Sequence, residues 1–141
     1  MSSPAAFDAF YDKLDSDWTA TPVKFENEFM EDVLQAESPA AFVYVEIYGD
    51  SYNQDSIGSP GSNTWLEQGV TYLHVMTPSG TGSRPARVHA DNLLNLFREQ
   101  SIDGLRMPEM SIGEGQPGKD LPNYWAMTVT IHWHRYDVTG T

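Results

Sequence analysis

The sequence predicts an α+β fold, a mainly antiparallel sheet of about four to five strands with two helices packed against it. Three observations carry this expectation. Residues 68–97, QGVTYLHVMTPSGTGSRPARVHADNLLNLF, read as a strand, a glycine turn and an amphipathic helix. Residues 123–137 alternate over a long run, with Trp125, Met127, Val129, Ile131 and Trp133 facing one way and Ala126, Thr128, Thr130, His132 and His134 the other. Near the start, Phe7, Phe10, Tyr11, Leu14 and Trp18 keep helical spacing. A chain of 141 residues fits one domain, spanning 1–141, that buries roughly two thirds of its unfolded surface.

In chain order, Ser3 before Pro4 is a helix start, a capping hydroxyl followed by proline at the first helical position. The helix should stop near Asp17, where the segment to Pro22 turns β-branched and turn-like. A short strand is expected at 23–25. The acidic stretch that follows, ENEFMEDVLQAESPA, lacks the alternating oxygen ligands and central glycine of a calcium loop, so Glu26, Glu28, Glu31 and Asp32 read as solvated loop. Residues 41–48 alternate, with Val43, Val45 and Ile47 against Phe42, Tyr44, Glu46 and Tyr48. Both faces are rich in apolar atoms, which suits a central strand or one that shows a face to a partner.

Residues 50–64, rich in Ser, Asn, Asp, Gly and Pro, read as a long loop, mobile in the free subunit, with Tyr52 and Ile57 as its apolar anchors. In the next strand Val70, Tyr72, His74 and Met76 share one face and Thr71, Leu73 and Val75 the other, until Pro78 removes an amide donor. Gly80 and Gly82 permit turn angles that other residues resist, and Ser83 can cap the second helix. Ala86, Ala90, Leu93, Leu94 and Phe97 form its apolar stripe. A short strand is expected at 102–107 and a second long loop at 113–122.

Composition narrows function. There are 20 acidic and 8 basic side chains and a net charge of −12, which disfavours wrapping nucleic acid. There is no cysteine, hence no disulfide or thiolate metal site. No apolar run approaches the roughly 20 residues of a membrane helix, and the acidic N-terminus does not read as a signal peptide. Four Trp, seven Tyr and six Phe exceed what a small core needs, so some are candidate interface anchors.

The catalytic patterns fail on geometry. His132 and His134 project from one strand face and His74 can approach from a neighbour, but no acidic ligand is spaced to complete a zinc site. Ser83, His89 and Asp91 have the residue types of a hydrolytic triad, yet His89 and Asp91 point in different directions from one helix. Pro85 occupies the place of the third glycine in a dinucleotide fingerprint. Glu114 and Asp120 have nothing nearby to tune them as an acid/base pair. No catalytic residue, metal or cofactor is assigned.

Taken in order, the pieces resemble the tail terminator family of long-tailed bacteriophages, to which the lambda protein U belongs. The resemblance spans nearly the whole chain: the aromatic N-terminal helix; Val23-Lys24-Phe25-Glu26-Asn27-Glu28-Phe29; the β-run from Tyr44 to Gly49; Gly69-Val70 opening a strand that ends Thr77-Pro78-Ser79-Gly80-Thr81-Gly82; the helix residues Ala90, Asp91, Leu93 and Phe97; and a strand introduced by Trp125. Asn27, Phe29, Gly80, Gly82 and Asp91 carry it as turn and scaffold positions.

The resemblance implies a structural virion protein and not an enzyme. It implies a homo-oligomeric ring, usually a hexamer, that caps the tail tube protein, stops its polymerisation and offers a surface to the head–tail connector protein. It would be assembled in the host cytoplasm and reside in the tail of a phage or of a related prophage or gene transfer agent particle. Part of the negative charge would line the channel, so that DNA passes without specific binding. The loop 50–64 has its own composition, and Tyr52, Asn53, Ile57 and Trp65 are its expected partner-binding residues. The alternatives are a neighbouring neck or tail-completion protein of similar fold, or a small acidic metal-binding module or enzyme using the His74, His132 and His134 face.

Overall fold

The computed structural model describes residues 3–28, 40–58, 60–100, 102, 104–117 and 124–138, with the side chains of 114–117 left aside. The elements run α1 (Pro4–Asp17), β1 (Val23–Phe25), β2 (Phe42–Gln54), β3 (Thr64–Pro78), α2 (Arg84–Phe97), β4 (Arg106–Pro117) and β5 (Tyr124–Val138). They form a five-stranded sheet in the order β1-β2-β3-β5-β4. β1 pairs parallel with β2, and the other neighbours are antiparallel. The α+β expectation holds.

Both helices lie on one face. Ser3 caps α1 as expected, its hydroxyl accepting the Ala6 N–H at 3.2 Å. α1 buries Ala6, Ala9, Phe10 and Leu14, and α2 buries Ala86, Ala90, Leu93 and Phe97. They share one core with Val43, Val45, Ile47, Leu73, Val75, Met127, Val129, Ile131 and Trp133 from the central strands. α2 packs mainly over β5 and β3. Phe10 joins the two helices to the sheet, with ring centroids 5.4 Å from Phe97 and 6.3 Å from Trp133. Phe7 and Tyr11 lean instead on Phe25 of β1, and Tyr11 stays exposed at the end of its stripe.

Four expectations need correction. The loop at 50–64 is largely strand: β2 continues through Gln54 and β3 starts at Thr64, pairing Tyr52 with Glu67 and Gln54 with Trp65. A bulge between Gly49 and Ser51 shifts the register. The alternation that marks β2 as far as Tyr48 is thereby broken although pairing continues. Likewise, the strand expected at 102–107 and the loop at 113–122 give way to β4 at Arg106–Pro117, while 118–122 lie outside the described residues. β4 is an edge strand with register shifts between Arg106 and Glu109 and between Ile112 and Gly115, so it tolerates Pro108 and Gly113 and carries no clean period. Ile102 makes only an isolated bridge to Leu105. Finally, the Ser83 side chain does not cap α2; its hydroxyl accepts from Arg87 Nε at 3.2 Å.

Two glycine turns meet their expected role. Gly80 and Gly82 have φ of +88° and +83° at the entry to α2. Gly69 has a different reason. A Cβ there would come within 2.4 Å of both the Trp133 ring and the Tyr48 carbonyl oxygen, so the indole closes the core only over a glycine.

Candidate interaction surfaces

The strand face opposite the helices carries an ordered polar–aromatic array. Tyr44, Glu46 and Tyr48 come from β2 and Tyr72 and His74 from β3, brought together by the pairs Tyr44–His74 and Glu46–Tyr72. His74 Nε2 lies 2.6 Å from Glu46 Oε1, and Nδ1 lies 2.8 Å from the Thr128 hydroxyl on β5. With its proton on Nε2, the ring donates to the carboxylate and accepts from the hydroxyl. The Tyr48 hydroxyl donates to the other Glu46 oxygen, which pushes the Tyr48 pKa up to about 12. Burial, then the charges of Glu46 and Glu26, raises that of Tyr44. Near-parallel Tyr44 and Tyr72 rings flank the imidazole at 6.1 and 6.0 Å, and Tyr48 meets Tyr72 edge-on at 5.7 Å.

At one end of this face Phe42, Met76 and Tyr124 form a second small apolar cluster, where the Tyr124 hydroxyl donates to the Ala40 carbonyl at 3.2 Å. Among the described residues neither helix contributes to this side.

Thr128, His74 and Glu46 reproduce a hydroxyl–imidazole–carboxylate chain in composition. They sit on a sheet face, however, and β5 is flanked by β3 and β4, whose ladders occupy the backbone amides that an oxyanion hole would need. What the array offers is a broad surface of rings with polar tips, the chemistry of a protein contact.

The residues expected to bind partners divide. Ile57 is 88% exposed at the tip of the β2–β3 hairpin, and Asn53 is exposed beside it. Tyr52 and Trp65 are half-buried and stack on each other at 5.1 Å. The Tyr52 hydroxyl donates to Asp137 at 2.9 Å, a bond that raises its pKa. They stiffen the hairpin and β5 rather than standing free. The loop base is tied as well, with Asp55 N–H donating to the Thr64 carbonyl at 2.7 Å and Thr64 N–H to the Ser56 hydroxyl at 2.8 Å.

Of the scaffold positions, Asn27 has φ of +60°, a left-handed turn. On either side of it, Glu26 accepts the Ile47 N–H at 2.7 Å and Glu28 the Phe25 N–H at 2.8 Å. These two acids, expected in a solvated loop, serve backbone amides where the short β1 ends. Asp91 is exposed on α2, and Phe29 lies outside the described residues, as do Glu31 and Asp32.

The three imidazoles do not converge. His74 pairs across to Thr128, whereas His132 faces Val70 and His134 faces Gln68, which places His132 roughly 13 Å along the strand from His74. Among the described residues no group of three or more His, Asp or Glu is placed to hold a metal ion. Ser83, His89 and Asp91 also stay apart: Ser83 takes Arg87, and His89 meets Trp18 edge-on at 6.0 Å.

One node escaped the sequence reading. Glu67 is fully buried. Its Oε2 accepts the Ser3 N–H at 2.8 Å, and its Oε1 accepts the Ser3 hydroxyl at 2.8 Å and Arg135 Nη1 at 2.9 Å. A single carboxylate thus ties the start of α1 to β3 and β5. The signal was parity: extending the buried face of Thr71, Leu73 and Val75 backward reaches Glu67, and a buried acid demands partners.

No protein-family model matches the chain, and no curated protein matches it. A solved protein structure is similar over nearly its whole length, at 21% identity and a TM-score of 0.61, covering 99% of this chain and 96% of that one. At that identity the likeness shows a shared fold.

Proposed function

We propose that this chain is a tail terminator subunit: a non-catalytic virion protein that forms a ring, most simply a hexamer, on the finished tail tube, stops tube polymerisation and presents the head-joining surface. The observation that carries the reading is the order of sequence pieces along nearly the whole chain, from the aromatic helix through Asn27 and the Gly80–Gly82 turn to the strand opened by Trp125. Geometry supports it from another side. A tube presents the same surface at its growing end, so only a ring with two unlike faces can stop it. This domain has unlike sides: a helical layer, and a sheet face of Tyr44, Tyr48, Tyr72 and His74 with polar tips. One side can match the tube while the other refuses the next tube ring.

The test is genetic and biochemical. Deleting the gene should give tails of uncontrolled length that do not join heads. Purified protein added to growing tubes should stop elongation at one ring per end. Normal, head-joined tails in the deletion strain would sink the proposal.

A further inference from the structure

The two helices carry opposite charge on flanks that point away from each other. On α1, Asp8, Asp12 and Asp15 form one exposed stripe at i, i+4 and i+7. None makes an ion pair among the described residues; α1's own cation, Lys13, is taken by Asp17. On α2, Arg84, Arg87 and Arg98 are exposed along one stripe that also holds Asp91, and these arginines likewise make no ion pair among the described residues. The remaining basic residue of known engagement, Arg135, is held by buried Glu67. In a chain of net charge −12 this stripe is a concentration of positive charge where the sequence is otherwise short of it.

Both stripes also oppose their own helix. Arg84 and Arg87 sit in the first turn of α2, next to the positive end of its dipole, with no acid there to offset them. Asp15 and Asp17 sit in the last turn of α1, at its negative end, where no basic residue stands. Neither arrangement is what an isolated domain gains from.

Placement makes the stripes complementary between copies. α1 leans toward β1 through Phe7 and Tyr11 on Phe25, and α2 lies over β5 and β3 and reaches β4. β1 and β4 are the two opposite edges of the sheet. His89 marks the α2 flank that meets α1, through Trp18, and Arg87, two residues earlier, lies roughly 200° away around the helix. The arginine flank therefore faces away from α1, toward the β4 edge.

We infer that copies of this chain associate head to tail through these flanks, the Asp8–Asp12–Asp15 stripe of one copy seated on the Arg84–Arg87 flank of the next. The contact is heterologous, so each copy uses one flank and leaves the other for a further neighbour. It rests on the ring reading above for closure into a ring, and it supplies the partner for each dipole-opposed stripe.

A charge swap tests it. Asp12→Arg with Asp15→Arg gives a protein with two basic flanks; Arg84→Glu with Arg87→Glu gives one with two acidic flanks. All four positions are exposed, and thermal melts of each variant check that folding is intact. In sedimentation at low salt each variant alone should self-associate at least about tenfold more weakly than the unmodified protein. An equimolar mixture of the two should recover association by alternating, which unfolded or generally weakened proteins would not do. Added salt should loosen the unmodified assembly. Milder Asp12→Asn and Asp15→Asn changes should act in the same direction with smaller effect. Unmodified-size rings from both reversed variants, or folded variants whose mixture stays dissociated, would overturn the contact. If such rings still stop tube growth, the terminator reading survives without it. An unmodified protein that stays monomeric at every concentration and on tube ends would overturn both.

Discussion

The two faces of the sheet use the same strands and opposite physics. On the helical side, Val43, Val45, Leu73, Val75, Val129 and Ile131 interlock with Phe10, Leu93 and Phe97, and stability comes from volume filled and apolar area removed from water. On the other side the alternate residues of β2 and β3 spend their polarity on one another, through Glu46, His74, Tyr48 and Thr128. A covered face must exclude water. An open one must stay orderly in water and still be able to give up that water to a partner. Substitutions on the first face should therefore read out as stability, and those on the second as ionisation and binding.

The largest effect is expected where the helical face breaks its own rule by burying charge. Arg135→Ala leaves fully buried Glu67 without its cation, and removing one partner of a buried pair typically costs ~3–5 kcal/mol. Chemical denaturation measures it. A loss below ~1 kcal/mol would mean that the two Ser3 bonds alone satisfy the carboxylate. Leu93→Ala comes next, at ~2–5 kcal/mol through lost burial and a cavity, since Leu93 and Val129 are both completely buried in the one core. Gly69→Ala follows at ~1–3 kcal/mol, because its methyl would collide with the Trp133 ring and with backbone at Tyr48. Relief of that loss by a smaller residue at Trp133 would confirm the clash as its cause.

What was legible in the sequence follows the same division. The helical face was readable because apolar periodicity is a direct image of a covered surface: the stripes of α1 and α2 and the buried parity of β3 and β5 stand where spacing put them. Strand was missed wherever pairing continued without periodicity. Ser51, Asn53 and Gln54 look like loop, yet they extend β2 past a bulge, held by cross-strand stacking of Tyr52 on Trp65. In β4 two register shifts on an edge strand erase the alternation. Among surface residues, Ile57 and Asn53 were legible as exposed, whereas Tyr52 and Trp65 were not legible as intramolecular packing, because composition cannot tell which aromatic ring an aspartate such as Asp137 will engage. The Glu46–His74–Thr128 chain needed the register of three strands, which is a long-range fact.

The smallest effect on stability should come from the open face, and there the sharper readout is titration. The Tyr48 hydroxyl donates to Glu46, and this bond, ahead of burial and nearby charge, lifts its pKa from 10.0 to about 12. A pKa raised by folding contributes stability that is fully present below the unfolded value of 10.0 and is lost as pH rises toward about 12, because the ionised phenolate can no longer donate to the carboxylate. Tyr48 is 45% exposed, so solvent screens the effect and only a shallow decline in stability across that window is expected. Glu46→Gln should then separate two tyrosines of the same strand. Tyr48, shifted mainly by the carboxylate, should fall back toward 10.0, whereas Tyr44, shifted first by burial, should move less. Ultraviolet titration of the variant, with Tyr48→Phe to assign the signal, checks this. Equal displacement of both tyrosines would mean that charge, and not the hydrogen bond, organises this face; no displacement of either would dissolve the Glu46 network altogether.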